Sequence, residues 1–87
     1  MPYAIRWKST AEKSFLALPR PTRDALEPHI DGLEQNPRPH GCRKMAGFED
    51  TYRIRVGDYR VVYRIDDDIR LVLVLAVGLR GGVYRHL

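Results

Sequence analysis

The chain is poor in the residues that most small catalytic sites are built from. Cys42 is its only cysteine, which excludes an internal disulfide framework and a thiolate metal cluster. Histidine occurs three times, at 29, 40 and 86. None of the three stands at metal-ligand spacing from a second His or Cys, so no metal or other cofactor is expected. Gly57, Gly78 and Gly81-Gly82 form no phosphate-loop pattern. A Ser/His/Asp triad cannot be assembled from any local motif, and Ser9 reads as a helix cap. Asp66-Asp67-Asp68 reads as a solvated turn, because a calcium loop needs spaced ligands and a distal carboxylate. The longest apolar run, Leu71 to Val77, is too short to span a membrane. Met1-Pro2-Tyr3 leads into Arg6-Trp7-Lys8 without the apolar stretch of a leader, so a cytoplasmic location and no membrane partner are expected. Repeats, linkers and low-complexity segments are absent from the sequence.

What is present is a foldable composition with an uneven charge. Apolar residues make up 44% of 87, too many for a disordered chain and enough for one small domain over residues 1–87. The net charge is +4. Residues 1–42 hold six Lys/Arg against five Asp/Glu, whereas residues 43–87 hold nine against six. The positive excess therefore falls in the C-terminal half, where strand patterns dominate. A basic face built at strand spacing is better evidence of a polyanion partner than basicity alone.

Tyr52 to Ile65 carries that face. It alternates apolar and polar on both sides of Gly57-Asp58, which predicts two half-buried strands joined by a two-residue primed turn. Val56 should then pair with Tyr59, and Arg55 should lie opposite Arg60. Like charges so placed destabilise a sheet by a few tenths of a kcal/mol or more. A fold does not need that arrangement, but a phosphoryl-transfer or polyanion-binding site does.

The remaining elements follow from periodicity. Pro2 to Lys8 alternates as a first strand. Ser9-Thr10-Ala11-Glu12 has the form of a capping box, with Ala11, Phe15 and Leu18 on the apolar face of the helix it opens. Pro19 ends that helix. Pro21 suits the first position of a second, which shows Leu26, Ile30 and Leu33 at i, i+4, i+7 and stops near Asn36-Pro37. Pro28 inside it removes one hydrogen bond and predicts a kink or a late start. Arg43 to Phe48 is expected as a short strand. Arg70 to Val77, apolar on both faces, reads as a central strand broken by Gly78. The expected fold class is α+β: an N-terminal strand, an αα-hairpin, then an antiparallel sheet with the helices on one face and a basic open face. Tyr52, Ile54, Val56, Tyr59, Val61, Tyr63 and Ile65 should face the helices. Arg53, Arg55, Arg60, Val62 and Arg64 should face away.

Chain direction adds one inference. If the strand ending at Val77 runs antiparallel to the 59–65 strand, its end returns to the Gly57-Asp58 side. Arg80 and Tyr84 follow at once, so Arg53, Arg55, Arg60, Arg80 and Tyr84 are expected to converge. Bland readings remain beside this one. Arg64 and Arg70 read as solvated sheet arginines or partner contacts, and the stem of Arg53 can simply cover the sheet. Trp7, Tyr52 and Tyr63 read as core, and Tyr59 as core or rim.

The stretch Arg53-Ile54-Arg55-Val56-Gly57-Asp58-Tyr59-Arg60-Val61-Val62-Tyr63, followed by Val77-Gly78-Leu79-Arg80-Gly81-Gly82-Val83-Tyr84-Arg85, resembles the RelE/ParE toxin superfamily, closest to the RelE branch. The resemblance covers nearly the whole chain. It implies the toxin of a type II toxin–antitoxin pair, an endoribonuclease that cleaves mRNA in the ribosomal A site without a metal. Its implied partners are mRNA, the ribosome and a cognate antitoxin, RelB-like or another small one. In the implied chemistry the ribose 2′-OH attacks the adjacent phosphodiester and leaves a 2′,3′-cyclic phosphate. Carried over by position, Arg53 and Arg55 stand where relatives often have lysines. Arg60 matches the arginine that holds the scissile phosphate. Arg80 matches a second arginine that stabilises charge or protonates the leaving 5′-oxygen, and Tyr84 matches a tyrosine that stacks on a base or helps proton transfer. Arginine is a poor general base because its pKa lies above about 12, so the base is left between Tyr84 and electrostatic activation alone. His86 reads first as part of a solvated tail and second as a substitute acid or base, as in relatives that use a histidine near the C-terminus. The alternative within the same fold is a ParE-type poison of DNA gyrase without nuclease chemistry. A silent relative or a general nucleic-acid-binding module is the third reading.

Overall fold

The period-two alternation around Gly57-Asp58 closes the hairpin it predicts. In the computed structural model, which describes residues 2–83, strand β3 (Thr51–Val56) pairs antiparallel with β4 (Tyr59–Asp66). Val56 faces Tyr59, and Arg55 lies opposite Arg60. Gly57 sits at φ +60, the left-handed region that a primed turn requires at its first central position.

The other elements are β1 (Ala4–Trp7), α1 (Ser9–Leu16), α2 (Arg20–Asp31), a 3-10 turn (Gly32–Glu34), β2 (Arg43–Lys44) and β5 (Leu71–Leu79). They build one five-stranded sheet in the order β1-β5-β4-β3-β2. The antiparallel expectation holds from β2 to β5, while β1 joins the outer side of β5 in parallel. Helix α1 lies over β5 and α2 over β3. Between sheet and helices sit Leu26, Ile30 and Leu33 with Ile54, Val61, Tyr63, Ile65, Val72 and Val74. Every strand residue expected to face the helices packs in or against this cluster. Trp7 and Tyr52 lie half-buried at its margin, Trp7 against Phe15 at 5.1 Å between ring centroids.

Several local expectations are corrected. Ser9 is not a cap: α1 begins at Ser9, and its N-cap is Lys8, which makes no side-chain cap bond. The Lys8 N–H donates to the Val74 carbonyl at 2.9 Å, so the ladder to β5 holds Lys8 extended and sets the turn one residue early. Helix α2 starts at Arg20, one residue before Pro21, and continues through Pro28 rather than starting late. Pro28 and Asp24 are both exposed, so water can solvate the carbonyl that loses its donor. Strand β2 ends at Lys44 rather than Phe48, because a turn with Gly47 at φ +84 and Asp50 at φ +52 follows. Gly78 does not break β5. It pairs with Arg60, and the strand runs on to Leu79.

The register of β4 on β5 shifts by one between Val62 and Tyr63, since Tyr63 faces Val74 but Val62 faces Ala76. Leu75 is the extra residue of this bulge. A one-residue slip exchanges the faces of a strand. Val72 and Val74 therefore face the helices, whereas beyond the bulge it is Val77 that does, and Ala76 turns to the opposite side. There Ala76 meets Val62 and Val83, flanked by Met45 and Leu75. The arginine face is thus not fully open: a second, smaller apolar cluster covers its middle.

At the end of the sheet away from Gly57, a polar latch holds the loop that leaves the 3-10 turn. Arg38 reaches Asp67 through both terminal nitrogens, at 2.9 and 3.2 Å, and donates from Nε to the Tyr52 hydroxyl at 3.2 Å. The Tyr3 hydroxyl donates to Asp67 Oδ1 at 2.7 Å. Asp66 is occupied by its own turn, accepting the Asp68 and Ile69 N–H groups, in keeping with the turn reading of the aspartate run. Arg70 is exposed as expected, with its guanidinium 5.6 Å from the centre of the Tyr3 ring. The Arg38 and Tyr3 hydrogen bonds hold the Asp67 carboxyl down to about 2. A carboxyl depressed in the folded state contributes stability above its unfolded pKa of about 3.9, lost as pH falls through the folded value. Asp67→Asn should therefore be less stable than wild type at neutral pH, and the gap should close between pH ~4 and ~2. Denaturant midpoints across that range check this.

Candidate functional site

Neighbours across a sheet share a face, so the register places the basic residues without further assumption. One row across the open face reads Arg43, Arg53, Val62, Ala76, and the next reads Arg55, Arg60, Gly78. A third holds Thr51, Arg64 and Leu73. Five arginines from three strands thus project from one face, Arg43 among them. Sequence reasoning expected Arg43 in a strand but did not assign it to the site. Its place opposite Arg53 follows only from the short β2 pairing.

The Gly57-Asp58 turn ties two of the expected residues to one point. Arg55 donates from Nε to the Gly57 carbonyl at 3.3 Å. The Arg80 backbone N–H donates to the Asp58 carbonyl at 3.2 Å. Arg80 therefore follows β5 to the hairpin turn, as chain direction predicts. Arg53, Arg55 and Arg60 share the face and Arg80 stands at its end. Tyr84 and His86 lie outside the described residues.

Burial separates the arginines. Arg55 and Arg80 are exposed, whereas Arg53 and Arg60 are half-buried. Arg60 Nε is withdrawn from water. Arg60 sits between the closely paired Arg55 and the side-chain-free Gly78. A Cβ placed on Gly78 would lie 3.7 Å from Val83 Cα, in ordinary van der Waals contact, so Val83 packs over the sheet at this point. The isolated apolar Val62 among the arginines was the visible signal for this contact, since a fully buried valine on a basic face needs an apolar cover. Val83 supplies it and anchors the chain immediately before Tyr84.

Chemically, the candidate site is a set of guanidinium groups gathered on one sheet face and at its end. Arginine binds phosphate in planar bidentate geometry, and a half-buried arginine acts through less solvent screening than an exposed one. No cluster of three or more His, Cys, Asp or Glu suited to a metal occurs among the described residues. No helix among them is long and apolar enough to cross a membrane.

The family model for the ParE toxin of type II toxin–antitoxin systems (parDE) matches residues 5–84. The chain is 36% identical to Toxin RelG of Mycobacterium tuberculosis, over 99% of this chain and 100% of that one. This chain belongs to the RelE/ParE toxin family. It is also 29% identical to the mRNA interferase toxin RelE of Escherichia coli, over 92% of this chain and 85% of that one. Among solved structures, the archaeal RelE–RelB complex from Pyrococcus horikoshii superposes with a TM-score of 0.81 at 28% identity, covering 95% of this chain and 100% of that one. The α+β fold with an N-terminal strand, two helices and a five-stranded sheet is thus the RelE fold, and the protein is a RelE-family toxin of the type II class.

Proposed function

We propose that this RelE-family toxin is a ribosome-dependent endoribonuclease that cleaves mRNA in the A site, and that Arg53, Arg55, Arg60, Arg80 and Tyr84 form its catalytic set. The observation that carries the reading is the Arg55–Arg60 cross-strand pair, with Arg80 tied to the same turn. The 2′-oxygen forms a bond to phosphorus as the bond from phosphorus to the 5′-oxygen breaks. The products are a 2′,3′-cyclic phosphate and a 5′-hydroxyl. The 2′ proton leaves to a base, and a proton reaches the departing 5′-oxygen. Negative charge grows on the phosphoryl oxygens, so fixed guanidinium groups stabilise the transition state more than the ground state. Arg60 holds the scissile phosphate, and Arg53 and Arg55 flank it. Arg80 stabilises or protonates the leaving oxygen. Tyr84 stacks on a base or relays a proton, and stacking of this kind contributes about 1–3 kcal/mol. The reaction uses no metal, because guanidinium groups occupy the role a cation would take. Requirement for a 2′-OH restricts it to RNA. The setting is the cytoplasm, and a cognate antitoxin of RelB type silences the toxin. The RelE–RelB assembly of the archaeal relative supports that partner.

Primer extension on a defined mRNA, with and without programmed ribosomes, tests this reading. Cuts in A-site codons that require ribosomes are expected. Cuts without ribosomes would make the protein a free ribonuclease. The ParE family model keeps a gyrase poison as the second reading; a DNA-damage response with filamentation and intact mRNA would favour it.

A further inference from the structure

Strand β2 covers only Tyr52 and Arg53 of β3, so beyond Arg53 the outer edge of β3 borders a groove of about 350 Å³ instead of a strand. The loop held by Arg38 forms its other side. His29 and His40 line it together with Asn36, Pro39, Ile54 and Arg55. Arg55 thus belongs to both the groove and the arginine face.

We infer that this groove is a second RNA subsite, taking a nucleotide that flanks the scissile phosphate; the inference rests on the endoribonuclease reading. Three observations carry it. No carboxylate lines the groove, and Arg55 supplies its fixed positive charge. A second sizeable groove, about 260 Å³ between the helices, has the opposite character, with Glu12, Glu27 and Asp31 around Trp7 and Phe15. A polyanion is attracted to the first and repelled by the second. The groove also offers what a splayed-out nucleotide needs: imidazole rings to stack on and an amide for a base edge. Asn36 Oδ1 accepts the Arg38 backbone N–H at 3.2 Å, which orients the Asn36 amide NH₂ as a donor. Finally, the groove is continuous with the proposed site through Arg55, so a strand held there can pass around the β3 edge without leaving positive surface.

The test uses a short RNA with 2′-O-methyl groups throughout, which cannot be cleaved, titrated into the full chain. NMR signals of the His29 and His40 rings and of the arginine side chains are followed. Both sets are expected to shift together. His29→Glu and His40→Glu alter exposed side chains, so the melting temperature should hold while the Kd for the RNA rises at least about fivefold. If RNA shifts the arginines but leaves both histidines still, and neither variant weakens binding, the subsite is overturned while the endoribonuclease reading stands. If RNA shifts neither set, the subsite is overturned, and the endoribonuclease reading is decided separately by primer extension on programmed ribosomes. If the histidines respond to an antitoxin peptide and not to RNA, the groove is a protein-docking surface and the inference is overturned.

Discussion

Arg60→Met is expected to lower single-turnover cleavage by about 10²–10³-fold, the usual effect of deleting a preorganised donor to a developing oxyanion, while leaving the fold intact. Methionine keeps most of the aliphatic stem and removes the guanidinium. The stem matters because Arg60 is half-buried, and its loss would confuse packing with chemistry. The pairing of Arg60 with a second arginine is a cost to the fold. Arg60 lies directly across from Arg55, in the closer of the two antiparallel pair types, with Cα atoms about 4.5 Å apart. Deleting one member of a like-charge pair relieves repulsion worth a few tenths of a kcal/mol. That relief offsets part of whatever contact the guanidinium gives up, so activity should fall far more than the melting temperature does. Arg60→Lys should recover only part of the rate, since an ammonium is a point charge without the bidentate fork. Full activity in Arg60→Met would remove this residue from the site. A large drop in melting temperature would assign it a structural role instead.

Two like-charged residues held side by side by a tight turn are a local conflict, and such conflicts mark functional sites. This conflict was legible in the sequence because a two-residue turn leaves one register, and the strand period of two then assigns every side chain to a face. The approach of Arg80 to the turn was legible for the same reason, through strand direction. The bulge at Leu75 was not. From Leu71 to Val77 both faces are apolar, so a slip by one residue changes no polarity and leaves no trace in the pattern. Val62 signalled that the basic face has an apolar cover, but the partners were hidden with the bulge, because Val83 is far away in the chain and the slip alone turns Ala76 to that side. The cap position at Lys8 was not legible because the local capping signal at Ser9 is overridden by a tertiary hydrogen bond from Lys8 to Val74. The groove at the β3 edge was invisible, since it exists only because β2 stops after two residues.

Tyr63→Ala is the substitution expected to cost the most stability, about 3–5 kcal/mol, as large aromatic-to-alanine changes in a core do. Stabilities of ~0.05–0.15 kcal/mol per residue are usual, so a domain of this size would lose a large share of its margin. Tyr63 is fully buried at the centre of the sheet and stacks on Tyr52 at 6.3 Å between ring centroids. Burial pushes its hydroxyl pKa up, so the group stays protonated and donates to the Pro37 carbonyl at 2.7 Å. Tyr63→Phe isolates that bond. It should cost about 1–3 kcal/mol, because the carbonyl of a buried residue loses its donor. Urea denaturation measures both changes. The two substitutions differ in their reach. The bond from Tyr63 and the contacts of Arg38 with Asp67 and Tyr52 hold the segment from Pro37 to Gly41 against the sheet. The Cys42 N–H, which donates to the Pro39 carbonyl at 3.0 Å within that segment, should exchange faster in Tyr63→Phe than in wild type. Pro39, His40 and Gly41 are a wall of the β3-edge groove. A hydroxyl on the helix-facing side of the sheet therefore positions the groove on its rim, and Tyr63→Phe should weaken RNA binding without touching any arginine. Unchanged exchange at Cys42 in that variant would show that the Arg38 latch alone suffices to hold the loop.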